Sequence, residues 1–189
     1  YQGFQGYQGD KGGVSANGAL GYYGSFTNSA TLSVTAANTI NYVTLTTLEE
    51  ANGISLAGLT PTNQYSSISF AHAGTYNVQF SLQVSNSDNT EHYIQIWPRL
   101  NDVDIPRSSS KVNVPKTTGG SVGTVLPAWN FIVTVVENDT FQLVYSVDNT
   151  KVILLGEAAK SSPFVEPAIP SVIMTAQQIT YLQDEIGRA

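Results

Sequence analysis

Cysteine is absent from the chain. Its absence removes disulfides, thiolate nucleophiles and cysteine-ligated zinc together, and in a domain of this size it mildly favours assembly in a reducing compartment. Charge is scarce as well. Asp, Glu, Lys and Arg supply 12% of the residues, about half of the roughly 25% usual in globular proteins. Eight basic against fourteen acidic residues leave a net charge of −6, without the basic footprint of a duplex-binding protein. No apolar run approaches the roughly 20 residues of a membrane-spanning helix. No basic-then-apolar leader opens the chain either; it begins at Tyr1 and is expected to be a fragment or processed product of something longer. The two histidines, His72 and His92, stand twenty positions apart and make no short-spaced metal pair.

What the chain has is neutral polarity over an ordinary core. Ser, Thr, Asn, Gln and Gly take the place of charge beside a 41% apolar content, and the clustering of Val, Ile, Leu, Phe and Tyr argues against disorder. From Gly21 onward the apolar period is two. In Thr75–Val84, Tyr76, Val78, Phe80, Leu82 and Val84 alternate with polar residues, the pattern of a half-buried strand. It is bounded by Ala73-Gly74 and by the turn-forming run Asn86-Ser87-Asp88-Asn89. Tyr93–Leu100 repeats the pattern, with Ile94, Ile96 and Leu100 on one side, Tyr93, Gln95, Trp97 and Arg99 on the other, and Pro98 marking an edge or a bulge. Trp129, Phe131, Val133 and Val135 alternate next, and Glu137-Asn138-Asp139 turns into Phe141, Leu143, Tyr145 and Val147, which together read as a hairpin. Further strands are expected at 21–26, 31–34, 41–45, 66–70, 152–155 and 172–181. Only the last eight residues hint at a helical period. Short strands separated by turn signals every eight to twelve residues indicate an all-β protein, a jelly roll or related sandwich.

The first dozen residues are different in kind. Gly3, Gly6, Gly9 and Gly12 keep a strict three-residue phase, the spacing a collagen triple helix requires because only hydrogen fits at its axis. The alternative is a flexible Gly/Gln linker. On the first reading, residues 1–12 are the stub of a longer three-chain stalk, 13–20 a small-residue linker, 21–181 one head domain and 182–189 a C-terminal tail.

Several runs carry a resemblance: GYYGSF (21–26), AGTYNVQFSLQVS (73–85), HYIQIWPRLNDVDIPRS (92–108), LPAWNFIV (126–133), NDTFQLVYS (138–146) and PAIPSVIMTAQQI (167–179). In this order, behind a Gly-Phe-Gln-Gly stub, they resemble the jelly-roll heads of bacteriophage tail-fibre and virion structural proteins. Those heads are similar to the tumour-necrosis-factor and complement-type globular head. The resemblance covers about residues 21–181 and implies a homotrimeric head of about ten antiparallel strands with both chain ends on the stalk side. It also implies a place in the virion, assembled in the host cytoplasm, among other virion proteins. The tail YLQDEIGRA departs from the pattern by continuing past the point where such heads often stop.

Signatures of catalysis are missing. There is no Gly-x-Ser-x-Gly, and Ser108-Ser109-Ser110-Lys111 reads as a polar loop. Neither His72 nor His92 has a local partner set. The carboxylate pairs Asp102 with Asp104, Glu137 with Asp139 and Glu49 with Glu50 fall at expected turns, where such residues serve turn geometry. Asp102-Val103-Asp104 and Asp88-Asn89-Thr90-Glu91 fall short of a full calcium loop. The expectation is therefore a non-enzyme with no cofactor and no metal. Tyr22, Tyr23 and Phe26 are candidates for contact between chains, with ordinary intra-chain core as the alternative. Tyr93, Trp97, Asp102, Asp104 and Arg107 are candidates for binding a host-surface polysaccharide, together with the loops 86–91, 101–111, 115–124 and 147–151. The function expected is host attachment by a trimeric fibre head. Capsid decoration or a trimerisation cap without a receptor is the alternative, and a polysaccharide-degrading enzyme a more distant one.

Overall fold

Fifteen strands and no helix make up residues 21–181, the part of the chain described by the structure, a computed structural model. The stub at 1–12, the linker at 13–20 and the tail at 182–189 lie outside the described residues. In chain order the strands begin with β1 (Tyr23–Asn28), β2 (Asn41–Tyr42), β3 (Thr47–Asn52), β4 (Ile54–Leu59) and β5 (Tyr65–Phe70). Then come β6 (Gly74–Leu82), β7 (Val84–Asn86), β8 (His92–Leu100), β9 (Val103–Asp104) and β10 (Ser110–Val114). The last five are β11 (Gly123–Val125), β12 (Ala128–Val135), β13 (Thr140–Val147), β14 (Val152–Leu154) and β15 (Val172–Tyr181).

Every ladder between these strands is antiparallel. One sheet has the order β12-β6-β15-β1-β3; the other has β10-β8-β13-β5-β4, with β2 on β13 and β9 on β8. A small sheet, β11-β7-β14, prolongs the first where the chain bends at Gln83. The alternating strands explain the sandwich. Tyr76, Val78, Phe80 and Leu82 of β6 are buried, as are Ile94 and Ile96 of β8 and Phe141, Leu143 and Tyr145 of β13, and all belong to one core between the sheets. The molecule is an all-β jelly-roll sandwich.

Local details depart from the sequence expectation in instructive ways. The strands number fifteen rather than about ten, because bends and bulges divide longer runs and because several weakly patterned segments also pair. β3 (TLEEAN) has no alternation and is mostly exposed, and β10 falls in a run that reads as loop. Residues 31–34 form no strand; Leu32 only bridges Leu154. β12 and β13 are not a hairpin. β12 pairs with β6 in one sheet and β13 with β8 and β5 in the other, so Glu137-Asn138-Asp139 is a corner between sheets. Asn138, at φ 68°, makes that turn, and its N–H donates to the Phe70 carbonyl at 2.7 Å. Gly53 makes a second corner between the sheets, from β3 to β4. Its φ is +73°, and a Cβ there would lie 2.5 Å from the Tyr22 ring, so only glycine fits. Asn86 belongs to a strand rather than a turn and is fully buried.

Candidate binding site

The two sheets present unlike outer faces. None of the residues of β12, β6, β15 and β1 is charged. Their outward side chains are Asn77, Gln79, Asn130, Thr134, Thr175 and Gln177, interspersed with Ile132, Ile173 and Ile179, which are 67%, 41% and 55% exposed. Several of the polar groups satisfy one another across strands: Asn130 donates to Asn77 at 2.9 Å, and Thr75 and Thr134 hydroxyls meet at 3.2 Å. Only edge strand β3 adds charge, where Glu50 accepts from the Tyr23 hydroxyl and Glu49 from Thr27. A groove of about 470 Å³ runs over this face between Tyr23, Glu50, Gln79 and Gln177.

The outer face of the other sheet is charged and aromatic. Alternation along β8 places Tyr93, Gln95, Trp97 and Arg99 outward because Ile94 and Ile96 are drawn into the core. Beneath them Val144, in register with both Trp97 and Tyr42, is fully buried although it lies outside the main core. Pro98 turns its carbonyl, and with it its missing N–H, toward Ile105, where β10 has already ended at the Ser110–Ile96 pair. It therefore marks a local edge.

Asp104 organises the centre of this face. Its Oδ1 accepts from the Trp97 indole N–H at 2.8 Å and from Arg99 Nε at 2.6 Å. These bonds, Arg99 first and Trp97 second, hold the Asp104 carboxyl below the usual carboxylate range, and Asp104 in turn raises Arg99. The following turn is closed by Ser108 Oγ donating to the Ile105 carbonyl at 2.6 Å, with Arg107 in the left-handed region at φ 61°. Between β8 and this turn lies an open cleft of about 550 Å³ lined by Gln95, Trp97, Asp104, Ile105, Pro106, Arg107, Ser108 and Ser109.

Of the five surface-binding candidates, three meet in the cleft: Trp97, Asp104 and Arg107. Tyr93 lies on the same face farther along β8, its ring covered by Lys111 Nζ at 3.4 Å from the centroid. Asp102 sits at the tip of the β8–β9 hairpin, where it and Asn101 take φ of 63° and 50°, as the paired two-residue turn requires. There it accepts from Tyr42 and Gln142 and is held away from the cleft lining. Gln95, Arg99 and Ser108 complete the site without having been singled out. Outward alternation on β8 was the signal for the first two and the candidate loop 101–111 for Ser108, whose bond to Ile105 only the folded turn reveals.

The inter-chain candidates divide. Tyr23 faces outward at the groove of the charge-free sheet. Tyr22 stacks on His72 with ring centroids 3.7 Å apart. Phe26 is fully buried in this chain's own core, the alternative given for it, so its ring is not available to a neighbouring chain.

His92 does have partners, contrary to expectation. Nε2 meets Asp88 at 3.0 Å and Nδ1 meets Asp148 at 3.2 Å, bringing the loops 86–91 and 147–151 onto the start of β8. Burial opposes charge on the ring, but hydrogen bonds donated by the ring to Asp88 and Asp148 outweigh it and raise the His92 pKa. Buried Asn86 secures the same end of the sandwich. Its Nδ2 donates to the carbonyls of Thr90 at 2.9 Å and Pro115 at 3.1 Å, while Oδ1 accepts from Asp88 N–H at 2.9 Å. Among the described residues no group of three or more His, Asp or Glu is arranged to hold a metal ion. Set against known proteins, the chain matches no family model, and no curated protein matches its sequence.

Proposed function

We propose that this chain is the homotrimeric head of a virion fibre or appendage and attaches the particle to the host cell surface. The observation that carries the reading is the charge-free outer face of β12-β6-β15-β1 with its exposed isoleucines. Depletion of charge is what distinguishes the core of a subunit interface from ordinary surface, and a closed ring of copies of this chain can bury a face of this breadth around its axis. The three-residue glycine phase at 3–12 supports three copies, since a triple helix is made of three chains. With that face turned inward, the charged and aromatic face of the other sheet is left to meet a ligand, and three copies add avidity to a weak individual site.

Sedimentation velocity and light scattering test the assembly. A trimer is expected, and a stable monomer of 20.2 kDa would overturn it. Imaging of intact particles tests the role. Density for the head at a fibre tip is expected, whereas density spread over capsid faces would replace attachment by decoration.

A further inference from the structure

We infer that the cleft between β8 and the 104–109 turn binds a saccharide bearing a carboxylate, with Trp97 under the sugar ring and Arg107 on the acid group. The inference deepens the attachment reading and rests on it for its biological role. A pyranose ring has a C–H face that packs on an aromatic plane and a rim of hydroxyls that needs hydrogen-bond partners. Trp97 offers the plane, in an orientation held because its N–H is committed to Asp104 at 2.8 Å. Both donors to Asp104 use Oδ1, so Oδ2 has no partner among the described residues, and the side chain is 55% exposed. An ionised carboxylate oxygen open to the cleft is a strong acceptor for sugar hydroxyls.

Charge selects the acid. Arg99 is neutralised by Asp104, and Lys111 is engaged over the Tyr93 ring. Arg107 lines the same cleft with no carboxylate within 4 Å among the described residues. The cleft therefore holds one uncompensated positive charge on a chain whose net charge is −6. Its guanidinium matches a carboxylate with two parallel hydrogen bonds. Arg107 itself sits in the left-handed region at φ 61°, and the Ser108–Ile105 bond holds the turn in that form.

The test titrates the whole chain calorimetrically with hexuronic-acid oligosaccharides and with neutral hexose oligomers of the same length. Hexuronates are expected to bind at least about tenfold more tightly, a difference of about 1.4 kcal/mol. Trp97→Ala should abolish binding of both. Arg107→Gln, at an exposed position, should leave the fold intact by circular dichroism and bring hexuronate binding down to the neutral level. Equal binding of the two sugars by the wild type, no binding of either, or a preference that survives Arg107→Gln would overturn the inference. Adsorption of labelled chain to cells with an acidic capsule, and to capsule-free cells, separates the two proposals. Adsorption that Trp97→Ala and Arg107→Gln leave unchanged sinks the cleft and keeps attachment. Hexuronate binding without adsorption to either cell type keeps the cleft and sinks attachment.

Discussion

The outer faces of the two sheets are built on the same backbone pattern and yet differ in chemistry. Across β12, β6, β15 and β1, uncharged amides and hydroxyls bond to one another between strands, and isoleucines stand exposed among them. Across β8 and β10, charges and aromatics pair within the chain in a way that leaves selected groups unmatched: one oxygen of Asp104, the Arg107 guanidinium and the open side of Trp97. An uncharged surface with exposed isoleucines suits permanent burial in an assembly, where an unpaired charge would be costly. Residual hydrogen-bonding capacity around a fixed aromatic suits reversible contact with a polar ligand. On the proposed function, assembly falls to the first face and recognition to the second.

The sharpest way to break this contrast is to exchange the character of the faces. Ile132→Lys with Ile173→Lys places two charges on the neutral face and should convert the proposed trimer to monomers in sedimentation, whereas Lys111→Glu on the opposite sheet should leave the assembly intact. A trimer surviving the first pair would refute the assignment of that face. Next in size is Asn86→Ala. Removing its amide leaves the Thr90 and Pro115 carbonyls without that donor and the Asp88 N–H without its acceptor, at a cost of about 1–2 kcal/mol. Denaturant unfolding should show the loss, and amide exchange should show the loops 86–91 and 115–118 loosened. Lys111→Met removes the cation above Tyr93 and should lower stability by about 0.5–1 kcal/mol.

The smallest effect is the pH dependence at His92. Its folded pKa is raised, so its stabilisation is complete below the unfolded value near 6.5 and is lost as pH rises through the folded value. Asp88 is lowered, chiefly by its bond to His92, so its share is present above the ordinary carboxylate range and fades as pH falls through the folded value. The wild type should therefore melt about 1–3 °C above His92→Gln near pH 5.5, with the gap closing by pH 8.5. A constant gap across that range would remove the ion pairs from the account.

The strands that dominate the core were legible because alternation is a local signal. Tyr76, Val78, Phe80, Leu82 and Val84 announce a buried side, and all five are buried. The turn at Glu137-Asn138-Asp139 was legible as a turn but misleading as a hairpin, since the same residues suit a tight connection within one sheet and a corner between two. β3 and β10 were hidden because an exposed or edge strand needs no apolar alternation. At the site, Trp97 could be placed outward from Ile94 and Ile96 alone. The bond from Trp97 to Asp104, seven residues away around a hairpin, depends on that hairpin's two left-handed residues and could not be counted along the chain.

The sequence by itself determined the period of two, the sidedness of its strongest strands and the absence of charge from four of them, because each of these depends only on neighbours along the chain. Tertiary structure alone decided that those four strands lie side by side, so that scattered neutrality becomes one continuous face. It also decided that Asp104 reaches Trp97 and Arg99 while Asp102 is held aside at a turn. Pairing and register bring together residues far apart in the chain. Which partners meet is settled by burying one shared core between two sheets, a property that no single segment carries.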